Sequence, residues 1–93
     1  MRFAADVVHQ SAHPYDDDRF TVVPIEAGTA ADAARKVAEI AAVRRYDEDG
    51  SVGYLAHAGK AGWYRAAIGV QQKSADGIGL NGVTISIHVW TVD

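Results

Sequence analysis

One stretch of the chain, residues 29–44, repeats with the period of a helix and is built almost wholly from small side chains. Ala30, Ala33, Ala34, Val37, Ala38 and Ala41 recur at spacings of three and four, while Asp32, Arg35, Lys36 and Glu39 fall largely elsewhere around the helix. An apolar face of alanine lets a helix lie close against a sheet, and this fixes the architecture the rest of the chain must supply. The start is marked by Thr29 with Asp32 three residues later, a capping-box spacing that also sets a carboxylate at the positive end of the helix dipole. Gly28 helps the chain turn in. Arg44 and Arg45 suit the negative end, and Asp47, Glu48, Asp49 and Gly50 close the element.

The flanking sequence has a period of two. Val83, Ile85, Ile87 and Val89 alternate with Thr84, Ser86, His88 and Trp90, the clearest strand in the chain. Phe3, Ala5 and Val7 alternate within residues 2–10. Residues 19–25 form a second strand that Pro24 either ends or confines to a sheet edge. Turn-forming residues over 11–18 make these two a long-looped hairpin. After the helix come a strand over 52–58, a tight turn at Gly59, Lys60, Ala61 and Gly62, and a returning strand over 63–72. Ala66, Ala67, Val70 and Gln71 in that last segment also fit a helix, although Gly69 disfavours helix by about 1 kcal/mol relative to alanine. Residues 73–82 read as a glycine-containing loop. The expectation is a single α+β domain over residues 1–93: one Ala-rich helix on a mostly antiparallel sheet of about five strands, in the order β-β-α-β-β-β.

A chain of 93 residues has room for one core, burying about 60–65% of its unfolded surface. With no cysteine, its stability must come from packing and backbone pairing, which suits a reducing cytoplasm. No run approaches the roughly 18 apolar residues that span a bilayer, and Arg2 and Asp6 interrupt the place where a signal peptide would be apolar. The expected location is therefore cytoplasmic, without a membrane partner. A net charge of −3, with the nine basic residues scattered, argues against a nucleic-acid partner.

Several strings imitate functional motifs. Gly77, Gly79 and Gly82 match the G-x-G-x-x-G spacing of a dinucleotide loop, but a strand follows where that motif opens a helix, so hairpin glycines explain them. Asp47, Asp49 and Gly50 could take the third, fifth and sixth places of a calcium loop. The first and twelfth places would then be Arg45 and Ala56, which lack the required oxygens, so an acidic turn is the simpler reading. His9, His13, Asp16, Asp17 and Asp18 carry metal-compatible atoms, but a spacing of four does not gather side chains across a strand end. None of the four serines, at 11, 51, 74 and 86, sits in a nucleophile elbow. His57 and His88 would meet only if their strands pair. No catalytic, cofactor-binding or metal-ligating residue is assigned, and whether the chain is an enzyme stays open.

The most informative feature is a face. Val83, Ile85 and Ile87 pointing to the helix would turn His88 and Trp90 away. Tyr64, Ala66, Ile68 and Val70 pointing inward would expose Trp63 and Arg65, and Val52, Tyr54 and Ala56 pointing inward would expose Leu55 and His57. One helix cannot cover both faces of such a sheet. Leu55, His57, Trp63, Arg65, His88 and Trp90 are therefore the expected interface, with a protein partner, either a second copy in a homo-oligomer or a host protein. The alternative is a small-ligand binder or small enzyme with a pocket beside the sheet and His57 and His88 as its polar groups.

The run Phe20, Thr21, Val22, Val23, Pro24, Ile25, Glu26, Ala27, Gly28, Thr29, Ala30, Ala31, Asp32, Ala33, Ala34 and Arg35 resembles the strand, turn and Ala-rich helix of small orphan accessory proteins of actinobacteria and their bacteriophages. Six arginines to three lysines, with abundant Ala, Gly and Val, are similar to products of GC-rich genomes. The resemblance implies an accessory protein, such as a phage-encoded modulator of a host protein, that acts by binding; it carries over no catalytic residue. The same segment is similar to dodecin, a flavin-storing protein. Here two strands precede the helix instead of one, so no flavin site is carried over.

Overall fold

A computed structural model describes residues 1–9 and 19–92. The elements are β1 (Arg2–His9), β2 (Arg19–Glu26), α1 (Ala30–Tyr46), a 3-10 turn (Asp47–Asp49), β3 (Gly50–His57), β4 (Trp63–Ser74) and β5 (Gly77–Thr91). This is the expected β-β-α-β-β-β order. All neighbours are antiparallel in one five-stranded sheet, ordered β2-β1-β5-β4-β3. Among the described residues no helix is long and apolar enough to cross a membrane.

The helix begins where its cap predicts: the Asp32 N–H donates to the Thr29 hydroxyl at 3.1 Å. It leaves one edge strand and delivers the chain to the other, so it must cross the whole sheet and touches all five strands. Ala33, Ala34, Val37, Ala38, Ala41 and Ala42 are buried against Phe3, Ala5, Val7, Ile25, Tyr64, Ala66, Ile68, Ile85, Ile87 and Val89. Dispersion contacts between close-packed backbones replace what larger side chains would have given. The helix is fastened to β2 from its second turn and from its last: the Lys36 ammonium donates to the Glu26 carbonyl at 2.5 Å, and the Arg44 guanidinium lies 4.4 Å from the centre of the Phe20 ring.

Pro24 sits on an edge strand, where its missing N–H costs no ladder bond. The Val23–Pro24 peptide is cis, and the β1–β2 register shifts between Phe3 and Ala5.

Residues 63–72 are strand, as expected, and not the helix their alanine spacing also allowed. One expectation changes. Residues 73–82 are not a loop: β4 and β5 stay paired past Gly69↔Gly82, through Gln71↔Leu80 and Lys73↔Ile78, to a two-residue turn at Ala75 and Asp76. Gly77 has φ +131°, as the turn requires, whereas Gly79 and Gly82 lie within the strand. A Cβ on Gly82 would collide with the Ile68 carbonyl, and one on Gly69 with the Asn81 carbonyl. The paired glycines thus mark a point where two backbones approach too closely for side chains. Among the described residues, beyond it β4 has left β3, whose pairing stops at Val70, and β5 has no partner in β1 before Ile85. The result is a two-stranded ribbon projecting from the sheet, in a molecule 48 Å long and under 31 Å in its other dimensions, 30 and 27 Å.

Candidate interaction face

The helix covers one side of the sheet, and the register shows what lies on the other. Trp63 pairs with His88, and His88 in turn with Asp6, which pairs with Thr21, so these four side chains form a row across four strands. The Trp63 and His88 rings stack with centroids 4.5 Å apart and 6° between planes. Trp90, two residues along β5, lies 5.2 Å from His88 at 42°. All three rings are partly buried. At the other end of the row the Thr21 hydroxyl donates to the Asp6 carboxylate at 2.6 Å. Arg65 occupies the next row, opposite Ser86 and Ala56, and is exposed. The face therefore carries an aromatic centre with an acid on its β1 side and a base on its β4 side.

Trp63, Arg65, His88 and Trp90 stand together on the uncovered face as expected. Leu55 and His57 do not. Val52 pairs with Ile68, yet Tyr54 pairs with Ala67, so β3 carries one extra residue at Gly53. A single inserted residue flips every side chain after it to the other face. Leu55 is consequently opposite Ala66 on the helix side, packed against the core. His57 is opposite Tyr64, its ring edge-on at 5.4 Å and 79°, with its Nδ1 accepting the Gly59 N–H at 3.2 Å. Tyr54 and Ala56, expected inside, take the vacated places on the uncovered face. Nor can His57 and His88 form a pair, because β4 separates their strands and they lie on opposite faces.

Sequence reasoning missed Tyr54, Asp6 and Thr21, and also Leu80, which lies over Gly53: a Cβ there would be 2.7 Å from a Leu80 methyl. An interior glycine in a strand was the available signal for the bulge. Gly53, Ala67 and Gly82, with Tyr54, Leu80 and Thr84 around them, line a groove of about 490 Å³ on this face.

The glycines at 77, 79 and 82 lie in β5, with no helix following. Asp47 has φ 55° and caps the helix through its N–H to the Val43 carbonyl, so the acidic turn is occupied in ending α1. Among the described residues no group of three or more His, Cys, Asp or Glu is placed to hold a metal. The side chains of His9, His13, Asp16, Asp17 and Asp18 lie outside the described residues. No protein-family model, curated protein or solved structure matches this chain.

Proposed function

We propose that the chain is a non-enzymatic protein-binding module whose uncovered sheet face takes up another protein, a second copy or a host protein. The observation that carries this is the Trp63–His88–Trp90 cluster on the side that α1 leaves bare. Aromatic side chains at the centre of a face, with charged groups at its margins, have the composition of an interface centre and rim. The resemblance to phage and actinobacterial accessory proteins supports the same reading, in which a small protein modulates a larger one by occupying its surface.

Trp90→Ala tests it. The variant should keep its circular dichroism and lose self-association or affinity capture of a partner by at least tenfold, roughly the loss expected when a central aromatic is truncated. An unchanged assembly state together with an unchanged capture profile would remove the proposal.

The groove beside Leu80 and Tyr54 favours a second reading, a small-ligand binder, since its volume lies within the range of about 300–1,000 Å³ found for ligand sites. A melting-temperature rise with one compound of a cofactor panel, lost in Tyr54→Ala, would support it; a flat panel counts against it.

A further inference from the structure

We infer that the protein bound by the uncovered face is a second copy of this chain, arranged with two-fold symmetry and including the β4–β5 ribbon in the contact. This rests on the protein-binding reading above and names its partner.

The ribbon supplies the first argument. Among the described residues neither of its edges has a neighbouring strand over 71–80, and an isolated two-stranded ribbon is marginal in water. Its β5 strand keeps strict alternation with the sheet, because the β4–β5 register runs without a shift from Trp63↔His88 to Ser74↔Gly77. Ile78 and Leu80 therefore continue the row of Thr84, Ser86, His88 and Trp90 on the uncovered face. Ile78 is 68% exposed, the most exposed large apolar side chain after Met1. The apolar surface of the face thus runs out along the ribbon.

Charge supplies the second. A two-fold axis lying between two such faces and running along β5 exchanges β1 and β4, the strands on either side of β5. Asp6 of one copy then lies over β4 of the other, facing the row of Trp63. Arg65 is two residues along that strand, about 7 Å away by the strand rise and within an arginine's reach. The symmetry repeats the contact, so two acid–base pairs form around the aromatic centre. The same axis lays the two ribbons against each other, with Ile78 and Leu80 between them.

Area supplies the third. From strand spacing and rise, the five-stranded face alone offers about 500 Å² per copy, and the ribbon raises this to about 650 Å². The total of about 1,300 Å² falls in the range of stable interfaces, about 1,200–2,000 Å², which the face without the ribbon does not reach. A β-ribbon can also enter a DNA groove, but this one carries only Lys73 and Asp76 as charged residues over 71–80 and has no cationic excess.

The test is the mass in solution by light scattering over the micromolar range, with a charge swap. Wild-type chain should be dimeric. Asp6→Arg and Arg65→Asp should each be monomeric alone, since each sets like charges together twice. An equimolar mixture should restore the dimer, because both contacts are then attractive, one in the original sense and one with its signs reversed; recovery also shows that both variants are folded. Ile78→Asp should weaken the dimer at least tenfold. A wild-type chain that is monomeric throughout, or a mixture that does not associate, overturns the inference. If that occurs while Trp90→Ala abolishes capture of a different protein, the protein-binding reading stands and only the partner is wrong. A wild-type dimer that Trp90→Ala leaves intact refutes the inference, and an unchanged capture profile as well refutes both.

Discussion

Gly82 shows how much of this fold depends on the absence of one carbon. Its Cβ would meet the Ile68 carbonyl, part of a backbone that pairing on both sides holds in place, so the clash cannot be relieved by a side-chain rotation. Gly79, three residues earlier in the same strand, has nothing within 4 Å of the position its Cβ would take. Gly82→Ala should therefore cost roughly 1–3 kcal/mol, as forced overpacking does, whereas Gly79→Ala should stay within about 0.5 kcal/mol of wild type, as open surface sites do. Urea denaturation of the two variants checks this, and equal costs would show that the crossing of β4 and β5 relaxes freely. At Thr29 the hydroxyl satisfies an N–H that the first helical turn leaves without a partner. Thr29→Ala should lower stability by about 1 kcal/mol in the same experiment.

Elements differ in how openly the sequence declares them. The helix was legible because its cap, its alanine stripe and its basic last turn all agree. The two local hairpins, β1–β2 and β3–β4, were legible because period-two runs flank turn residues. The faces of β4 and β5 followed from the same alternation, which put Trp63, Arg65, His88 and Trp90 correctly on the uncovered side. The rest failed for specific reasons. One bulge residue, Gly53, reversed the tail of β3 and exchanged Leu55 and His57 for Tyr54 and Ala56; period two carries no memory past an insertion. The ribbon was hidden because Lys73, Ser74, Ala75, Asp76 and Gly77 have the composition of a loop, and only cross-strand pairing makes them strand and turn. That ribbon contributes no buried side chain over residues 71–79. Replacing residues 73–78 by a two-residue Asn-Gly turn, which matches the hydrogen-bonded Gln72↔Gly79 pair, should thus leave monomer stability within about 1 kcal/mol of wild type by urea denaturation. A large loss would mean that the ribbon stabilises the sheet it projects from.

For the molecule as a whole, the decisive fact is that its first and last strands are neighbours. β1 and β5 pair from Phe3↔Thr91 to His9↔Ile85, and the Val92 N–H reaches the Arg2 carbonyl at 3.0 Å. Every strand inside the order β2-β1-β5-β4-β3 has two partners, while β2 and β3 have one. The largest fully buried side chains, Ile68, Ile85, Ile87, Val7 and Val37, come from β4, β5, β1 and the helix that spans them. No half of the chain holds this core alone, so the inner strands and α1 should open together in one cooperative event, and the edges should open without them. Amides at residues 85–89 and 64–68 should then exchange with solvent only through global unfolding, with equal protection that falls by the same amount in Gly82→Ala. Amides at residues 71–80 should exchange through local opening, at least a hundredfold faster and indifferent to that substitution. Hydrogen exchange read residue by residue in the monomeric Arg65→Asp variant separates the two classes without interference from association. Ribbon amides as slow as those at 85–89 would show that the projection belongs to the cooperative unit and that its stability does not need a partner.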